Sequence, residues 1–453
     1  MKNLHGMSKR NGGALYLLLR LFTEVRPGEV VTAFLLGLNI FLLLTAYYII
    51  KPVREGLILG GVGAEGKSYL SAVIAVLLVF VVKAFSSIAS RVSRQKLISR
   101  VTVFFISNLV IFYFLSLSSI SQKTLGLIFF VWMGIFNVMV VAQFWGFAND
   151  LYSEEEGKRL FPLVAVGATC GAFVGSQIAR WLVGPIGLYE MMLVSAGLLL
   201  ICTGLTLVIH KRETRCPGRE LKSMQKEPDE AEKPLVRGGG FQLLFKRKYL
   251  IFLAFFVLLL NFVNTNGEFF LGNVVTERAM EAVDTGMAGG LTVDEFIARF
   301  WAGFYRYSNL LALLIQLFIV SRIFKWIGVR TSIFILPVIA LGGYSFIAAG
   351  ASLMLIHWVK VAENGTDYSL MNTTRHALFL VTSREEKYKA KAAIDTFFHR
   401  AGDVFSAVLV LLGTAVFSFR TESFAVVNVC LVLIWIVVAV LLFREHKRLT
   451  PDT

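Results

Sequence analysis

Lys360, Glu363, Asn364 and Asp367 stand at i, i+3, i+4 and i+7 within an apolar run over residues 352–381, so one helical face carries all four. Arg375 lies about two further turns along, close to the same stripe. An ionisable side chain inside a membrane-crossing helix costs roughly 2.5–3.5 kcal/mol on insertion scales, and it normally faces a bundle interior or an aqueous cavity. Bases of this kind can hold an anionic solute, and acids between them can hold the bases when the solute is gone or carry a coupled proton. The pattern therefore predicts a polar pathway through a membrane protein.

A second group closes the first apolar run, which reads Tyr47-Tyr48-Ile49-Ile50-Lys51-Pro52-Val53-Arg54-Glu55. Pro52 is expected to kink or end the helix, which places Lys51 and Arg54 at the outer mouth or in an outward-open cavity. The structural alternative is a snorkelling flank anchored at the interface. An excess of bases there suits an anionic substrate. Glu268, Arg306, Arg400 and Asp403 complete the set expected to line the pathway. Asp395 and His399, four apart, read as a local helix pair. Asn261, Asn264 and Asn266 read as interhelical glue, and Lys83 and Arg180 as flanks near helix ends. Gly167, Gly171 and Gly175, spaced by four, predict a close helix contact. Residues 61–68 satisfy the P-loop pattern through Gly61, Gly66, Lys67 and Ser68. They lead straight into an apolar helix without a preceding buried strand, so nucleotide hydrolysis is set aside.

The elements that must position these groups are twelve apolar segments. Six lie near residues 30–50, 68–89, 97–117, 124–148, 160–183 and 187–209, and six near 249–272, 299–320, 331–350, 352–381, 391–418 and 423–443. Each has about the length that crosses ~30 Å of hydrocarbon as a helix. Apolar residues form 56% of the 453, and alternating strand patterns are absent, which predicts an all-α polytopic membrane protein and excludes a barrel. The net charge of +15 gathers in alternate connections, which puts both termini in the cytoplasm by the positive-inside rule and reports topology, with no nucleic-acid partner implied. Four cysteines without metal or pairing spacing give no metal or cofactor signal. No soluble domain or catalytic constellation points to an enzyme.

The expected organisation is a basic amphipathic N-terminus (1–29), a first six-helix half (30–209), a cytoplasmic linker (210–248), a second half (249–443) and a short tail (444–453). Ser90-Arg91-Val92 recurs as Ser321-Arg322-Ile323, and Ser153-Glu154-Glu155-Glu156 as Ser383-Arg384-Glu385-Glu386, both at an offset near 230 residues. Parallel repeats about a long cytoplasmic loop predict a major-facilitator-type 6+6 bundle.

Several motifs carry a resemblance. Asp367-Tyr368-Ser369-Leu370-Met371-Asn372-Thr373-Thr374-Arg375-His376 is followed by Lys389-Ala390-Lys391-Ala392-Ala393-Ile394-Asp395. Phe144-Trp145-Gly146-Phe147-Ala148-Asn149-Asp150 precedes Lys158-Arg159-Leu160-Phe161-Pro162-Leu163, and residues 51–55 form a charged motif after the first run. The chain thereby resembles, over essentially its whole length, the ATP:ADP antiporter (nucleotide transporter) family of intracellular bacteria and plastids. The resemblance implies a major-facilitator fold and exchange of ATP for ADP, or phosphate-coupled nucleotide movement, by a monomer in a bacterial inner membrane. It departs from that pattern where the transporters carry Arg-Asp-Thr-Lys-Asp at 51–55, Lys-Tyr-Ser at 367–369, Asp-Pro-Thr-Lys-Glu at 372–376 and a base at Asp403. The reading is an alternating-access transporter of an anionic, nucleotide-like solute. A proton-coupled carrier of another metabolite, or a receptor or assembly factor on a transporter fold, are the alternatives.

Overall fold

A computed structural model describes residues 30–89, 94–152, 154–214, 244–350, 352–383, 386 and 390–450. The expected N-terminal amphipathic helix, most of the linker, the end of the tail, most of the repeated loop motifs and the side chain of Lys83 lie outside the described residues. Every regular element within them is helical. In chain order these are α1 (Val30–Ala89), α2 (Arg94–Ser116), α3 (Gln122–Leu151), α4 (Glu154–Ile186), α5 (Glu190–Thr214), α6 (Lys248–Asp284) and α7 (Val293–Leu314). They continue as α8 (Val320–Trp326), α9 (Gly328–Ser332), α10 (Ile335–Ala348), α11 (Leu353–Thr366), α12 (Asn372–Leu378), α13 (Lys391–Ala393), α14 (His399–Ala415) and α15 (Thr421–Leu449). Among the described residues, nine helical stretches are long and apolar enough to cross a membrane. Large apolar side chains such as Phe80, Phe114, Leu200 and Val437 face outward, as hydrocarbon-facing groups would.

The first expected boundary is wrong. Helix α1 does not stop at Pro52; it runs on to Gly63, whose φ of 70° and ψ of −176° break it. A proline removes one backbone donor, a loss that membrane helices tolerate when packing holds the turn. Only beyond Gly63 does the chain reverse. Leu57 on the incoming limb packs against Gly126 of α3, and Ile74 on the outgoing limb packs against Gly134 further along it. Lys67 Nζ also returns to within 2.8 Å of Glu55 Oε2, whereas twelve residues of straight helix span about 18 Å.

Helix α1 packs against α3, α4 and α5, with α2 against α3 and α5. The glycine face of α4 is what permits the α1 contact. A Cβ at Gly167 or Gly175 would stand 2.5 Å from the carbonyl oxygens of Gly37 and Thr45, and one at Gly171 would meet that of Phe41 more closely still. In the second part, α6 packs against α11, α14 and α15, while α10 packs against α11 and α15. The two parts meet where α7 lies on α1 and α4, α14 on α1, and α6 on α1. Gly56 and Gly60 sit against Asp294, and Gly272 against Leu59 and Ala64, which closes the end of the bundle that carries the Gly63 bend.

Several of the expected segments are interrupted: the 299–320 run carries a π-helical turn at Ile315–Ile319 between α7 and α8, and the 331–350 run breaks between α9 and α10. The 352–381 run becomes α11, a π-helical turn at Asp367–Met371, α12 and a 3₁₀ turn at Phe379–Val381. The next begins with α13 and a further π turn at Ile394–Phe398 before α14. Such turns insert one extra residue and shift every later side chain around the axis, which is why they recur at functional sites.

Candidate functional site

Lys51 and, one turn later, Arg54 and Glu55 stand on α1 where it crosses the boundary between the two parts. Burial of Lys51 is nearly complete, at 8% exposure, and its neighbours are rings. Its Nζ stands 3.9 Å from the ring centroid of Tyr305, 5.0 Å from that of Tyr48 and 5.8 Å from that of Tyr47. Tyr47 and Tyr48 are presented by helical spacing, one turn before the lysine, and Tyr305 is brought by α7. Among the described residues no carboxylate lies within ion-pair distance of this ammonium, so cation–π attraction to the three rings is its partner. Lys51 is therefore neither at an outer mouth nor snorkelling.

Beside it, Glu55 is fully buried and gathers three groups. The Arg54 guanidinium pairs with Oε1, Lys67 Nζ lies 2.8 Å from Oε2, and the Tyr305 hydroxyl donates to Oε1 at 3.1 Å. Lys67 also reaches Glu268 Oε2 of α6 at 3.4 Å and lies over the Trp301 ring of α7 at 4.7 Å. Arg54 itself is held over the Phe130 ring. Three bases and two acids thus form one layer that ties α1 to α6 and α7. One positive charge is left over, on Lys51. Around this layer Arg306 donates from Nη1 to Gln177 Oε1 at 2.9 Å, and Asn309 Nδ2 to Ser176 Oγ at 3.3 Å, joining α7 to α4.

The four groups of α11 and the following turn go elsewhere. Lys360 is fully buried, and its Nζ meets Glu363 Oε2 at 2.7 Å, Asn264 Oδ1 at 2.8 Å and the Tyr344 hydroxyl at 3.4 Å. Tyr344 donates in turn to Glu363 Oε2 at 2.7 Å. This is a closed set spanning α6, α10 and α11, in which each charge is matched. Asn364 is also fully buried, yet neither atom of its amide has a hydrogen-bond partner, and Asp367 Oδ1 is likewise buried without one.

A third group centres on α14. Asp403 receives Asn261 Nδ2 at 2.8 Å and the Thr265 hydroxyl at 3.0 Å on Oδ1, and Arg400 Nη1 at 3.2 Å on Oδ2. Arg400 then shares a cavity of about 220 Å³ with Arg375, His376, Phe379, Lys391, Asp395 and His399. The stripe expected to run from Lys360 to Arg375 is therefore divided between a matched interior set and this cavity.

Lys67, Glu55 and Tyr305 are the members that sequence reasoning missed. Lys67 falls inside the P-loop pattern, and it is the bend at Gly63 that brings it back to Glu55.

The family model described as TLC ATP/ADP transporter matches residues 126–349 and 351–446. This chain belongs to that family. Among curated relatives, ADP,ATP carrier protein 1 of Chlamydia pneumoniae is 24% identical over 346 residues, which cover 67% of this chain and 64% of that protein. Its counterpart in Chlamydia muridarum is 24% identical over 342 residues, covering 66% and 61%. The match to both of these carriers thus spans slightly less than two thirds of their length. Among solved structures, the nucleoside transporter NupG aligns with TM-score 0.57 at 12% identity, over 93% of this chain and 100% of that one. A POT family transporter in complex with 5-aminolevulinic acid aligns with TM-score 0.61 at 13% identity, over 92% and 96%. These likenesses show that this TLC-family chain shares the multi-helix fold of those transporters.

Proposed function

We propose that this chain is a secondary transporter that exchanges nucleotide-type polyanions, ATP against ADP, by alternating access between two six-helix halves. The count of twelve follows if α1 crosses twice about Gly63, and if α4 and the α11–α12 stack each cross once. The positive-inside pattern then puts both termini in the cytoplasm and makes the Gly63 end the outer one, so the structure corresponds to an outward-closed state.

The observation that carries the reading is Lys51. A buried ammonium ringed by three tyrosines and unmatched by a carboxylate, at the seam between halves that must move, is the place where an anion lowers the energy most. Phosphate oxygens would meet Lys51 and, on release from Glu55, Arg54; tyrosine faces suit a flat base. Lys67 would then choose between Glu55 and Glu268, and that choice would open or close the outer end. In this reading the Lys360–Glu363 pair and the Arg400–Asp403 pair set the shape of the second half, with Arg306 at its seam and Asn364, Asp367 and Arg375 nearer the path. Radiolabelled ADP uptake into ATP-loaded proteoliposomes tests it, and folded protein that shows no counterflow with any nucleotide would refute it.

One observation favours a second reading. The buried, unpartnered Oδ1 of Asp367 is suited to hold a proton, which would make the carrier proton-coupled. Uptake driven by a pH gradient and lost in Asp367→Asn would select that version.

A further inference from the structure

We propose that the cavity between the end of α12 and the start of α14 is a second anion site, a station for a single phosphate group at the mouth of the pathway. This goes beyond the central site, from which it differs in position and in residues. Three basic side chains, Arg375, Lys391 and Arg400, line it against one lining carboxylate, Asp395. Asp403 holds one edge of Arg400, whose side chain remains 36% exposed. Arg375 has one Nη bonded to Asn372 Oδ1 at 3.2 Å, while its Nε is buried with no acceptor. Lys391 donates to His376 Nδ1 at 2.9 Å, which leaves the hydrogen of that ring on Nε2 as a further donor, and its ammonium lies 5.6 Å from the Phe379 ring.

The donors outnumber the acceptors, and they are of the kinds that recognise phosphate oxygens: two guanidinium forks, an ammonium and an imidazole N–H. The size limits the ligand. A volume of about 220 Å³ falls below the ~300–1,000 Å³ of sites that enclose drug-sized ligands, so the cavity itself has room for a phosphate group. Two of the π turns, Asp367–Met371 and Ile394–Phe398, flank the cavity and account for its assembly. Each adds a residue and rotates the following side chains, so that Arg375 and His376 on one segment come to face His399 and Arg400 on the other.

The ligand chemistry is a phosphate group, either free orthophosphate or the terminal phosphate of the cargo. The test uses the purified full-length chain in detergent, with lysine labelling by an amine-reactive reagent read out by mass spectrometry at Lys391. Orthophosphate is expected to protect Lys391 at matched ionic strength, whereas potassium chloride is not. If ADP protects too and orthophosphate competes with it, the phosphate is the cargo's own; if orthophosphate alone protects, the ligand is free phosphate. Protection by neither, or equal protection by adenosine, overturns the proposal. In parallel, thermal-shift titration with orthophosphate is expected to give an apparent Kd weakened about tenfold in Lys391→Gln and in His376→Gln, as loss of one charge-assisted hydrogen bond implies. Identical titrations for the wild type and both mouth variants overturn the proposal as well. Because orthophosphate binding is read without transport, a failure of nucleotide counterflow leaves this result standing, and the converse holds.

Discussion

Replacing Lys67 by Gln should open the end of the bundle that the Gly63 bend closes. Lys67 contributes two contacts across the seam, the 3.4 Å pair with Glu268 and the approach over the Trp301 ring. Glu268 keeps 24% of its side chain exposed, so the pair is partly screened and stabilises by about 1 kcal/mol. The desolvated cation–π contact adds roughly 1–2 kcal/mol. Glu55 keeps Arg54 and Tyr305 after the substitution, so its burial is not left unmatched. The closed arrangement therefore loses about 2–3 kcal/mol against the open one, which shifts their ratio by roughly 30- to 140-fold. The readout is a pair of spin labels at Ser119 and Met287, both exposed at that end, in a background without the native cysteines. The wild type should give one short distance, and Lys67→Gln a longer distance that dominates. An unchanged distribution would refute the assignment of Lys67 as a tie between the halves.

Three further outcomes follow from the packing. Lys360→Met should destabilise the fold by about 3–5 kcal/mol, because Glu363 is left charged and buried; the double variant with Glu363→Leu should recover most of it, and denaturation in detergent would show no recovery if the two were not a matched pair. Gly171→Val should lower stability by about 1–3 kcal/mol or more through its clash with the Phe41 carbonyl, while Gly184→Ala, whose nearest neighbour is the Leu291 side chain at 3.7 Å, should be near neutral in the same melt. Tyr305→Phe should keep the ring over Lys51 but lose the bond to Glu55, weakening nucleotide binding less than Lys51→Gln does in a side-by-side titration.

The long apolar segments and the glycine contact of α4 were legible because hydrocarbon thickness and close backbone approach leave direct marks on composition and spacing. The position of the bend was not. Pro52 carries the local signal for a break, but packing of α1 against α3 and α4 holds the helix through it, and the turn falls to Gly63, which has no Cβ to oppose a positive φ. That eleven-residue displacement puts Lys51 and Arg54 in the seam and not at the outer mouth, which was one of their two expected places. The single helical face from Lys360 to Arg375 was legible only as far as Thr366, because a π turn has no marker in one sequence. Which lysine has a partner was beyond reach: Lys360 and Lys51 both interrupt apolar runs, and only the fold brings Glu363, Asn264 and Tyr344 to the first while giving the second three rings and no acid.

If the unmatched, buried Lys51 receives a nucleotide-type polyanion at the seam, its removal must show in exchange. Exchange of external radiolabelled ADP for internal ATP, measured in proteoliposomes for the wild type and for Lys51→Gln, tests it most directly. Saturable counterflow is expected in the wild type, with an apparent affinity weakened at least about tenfold, or uptake abolished, in the variant. Counterflow of equal rate and affinity in Lys51→Gln would contradict it.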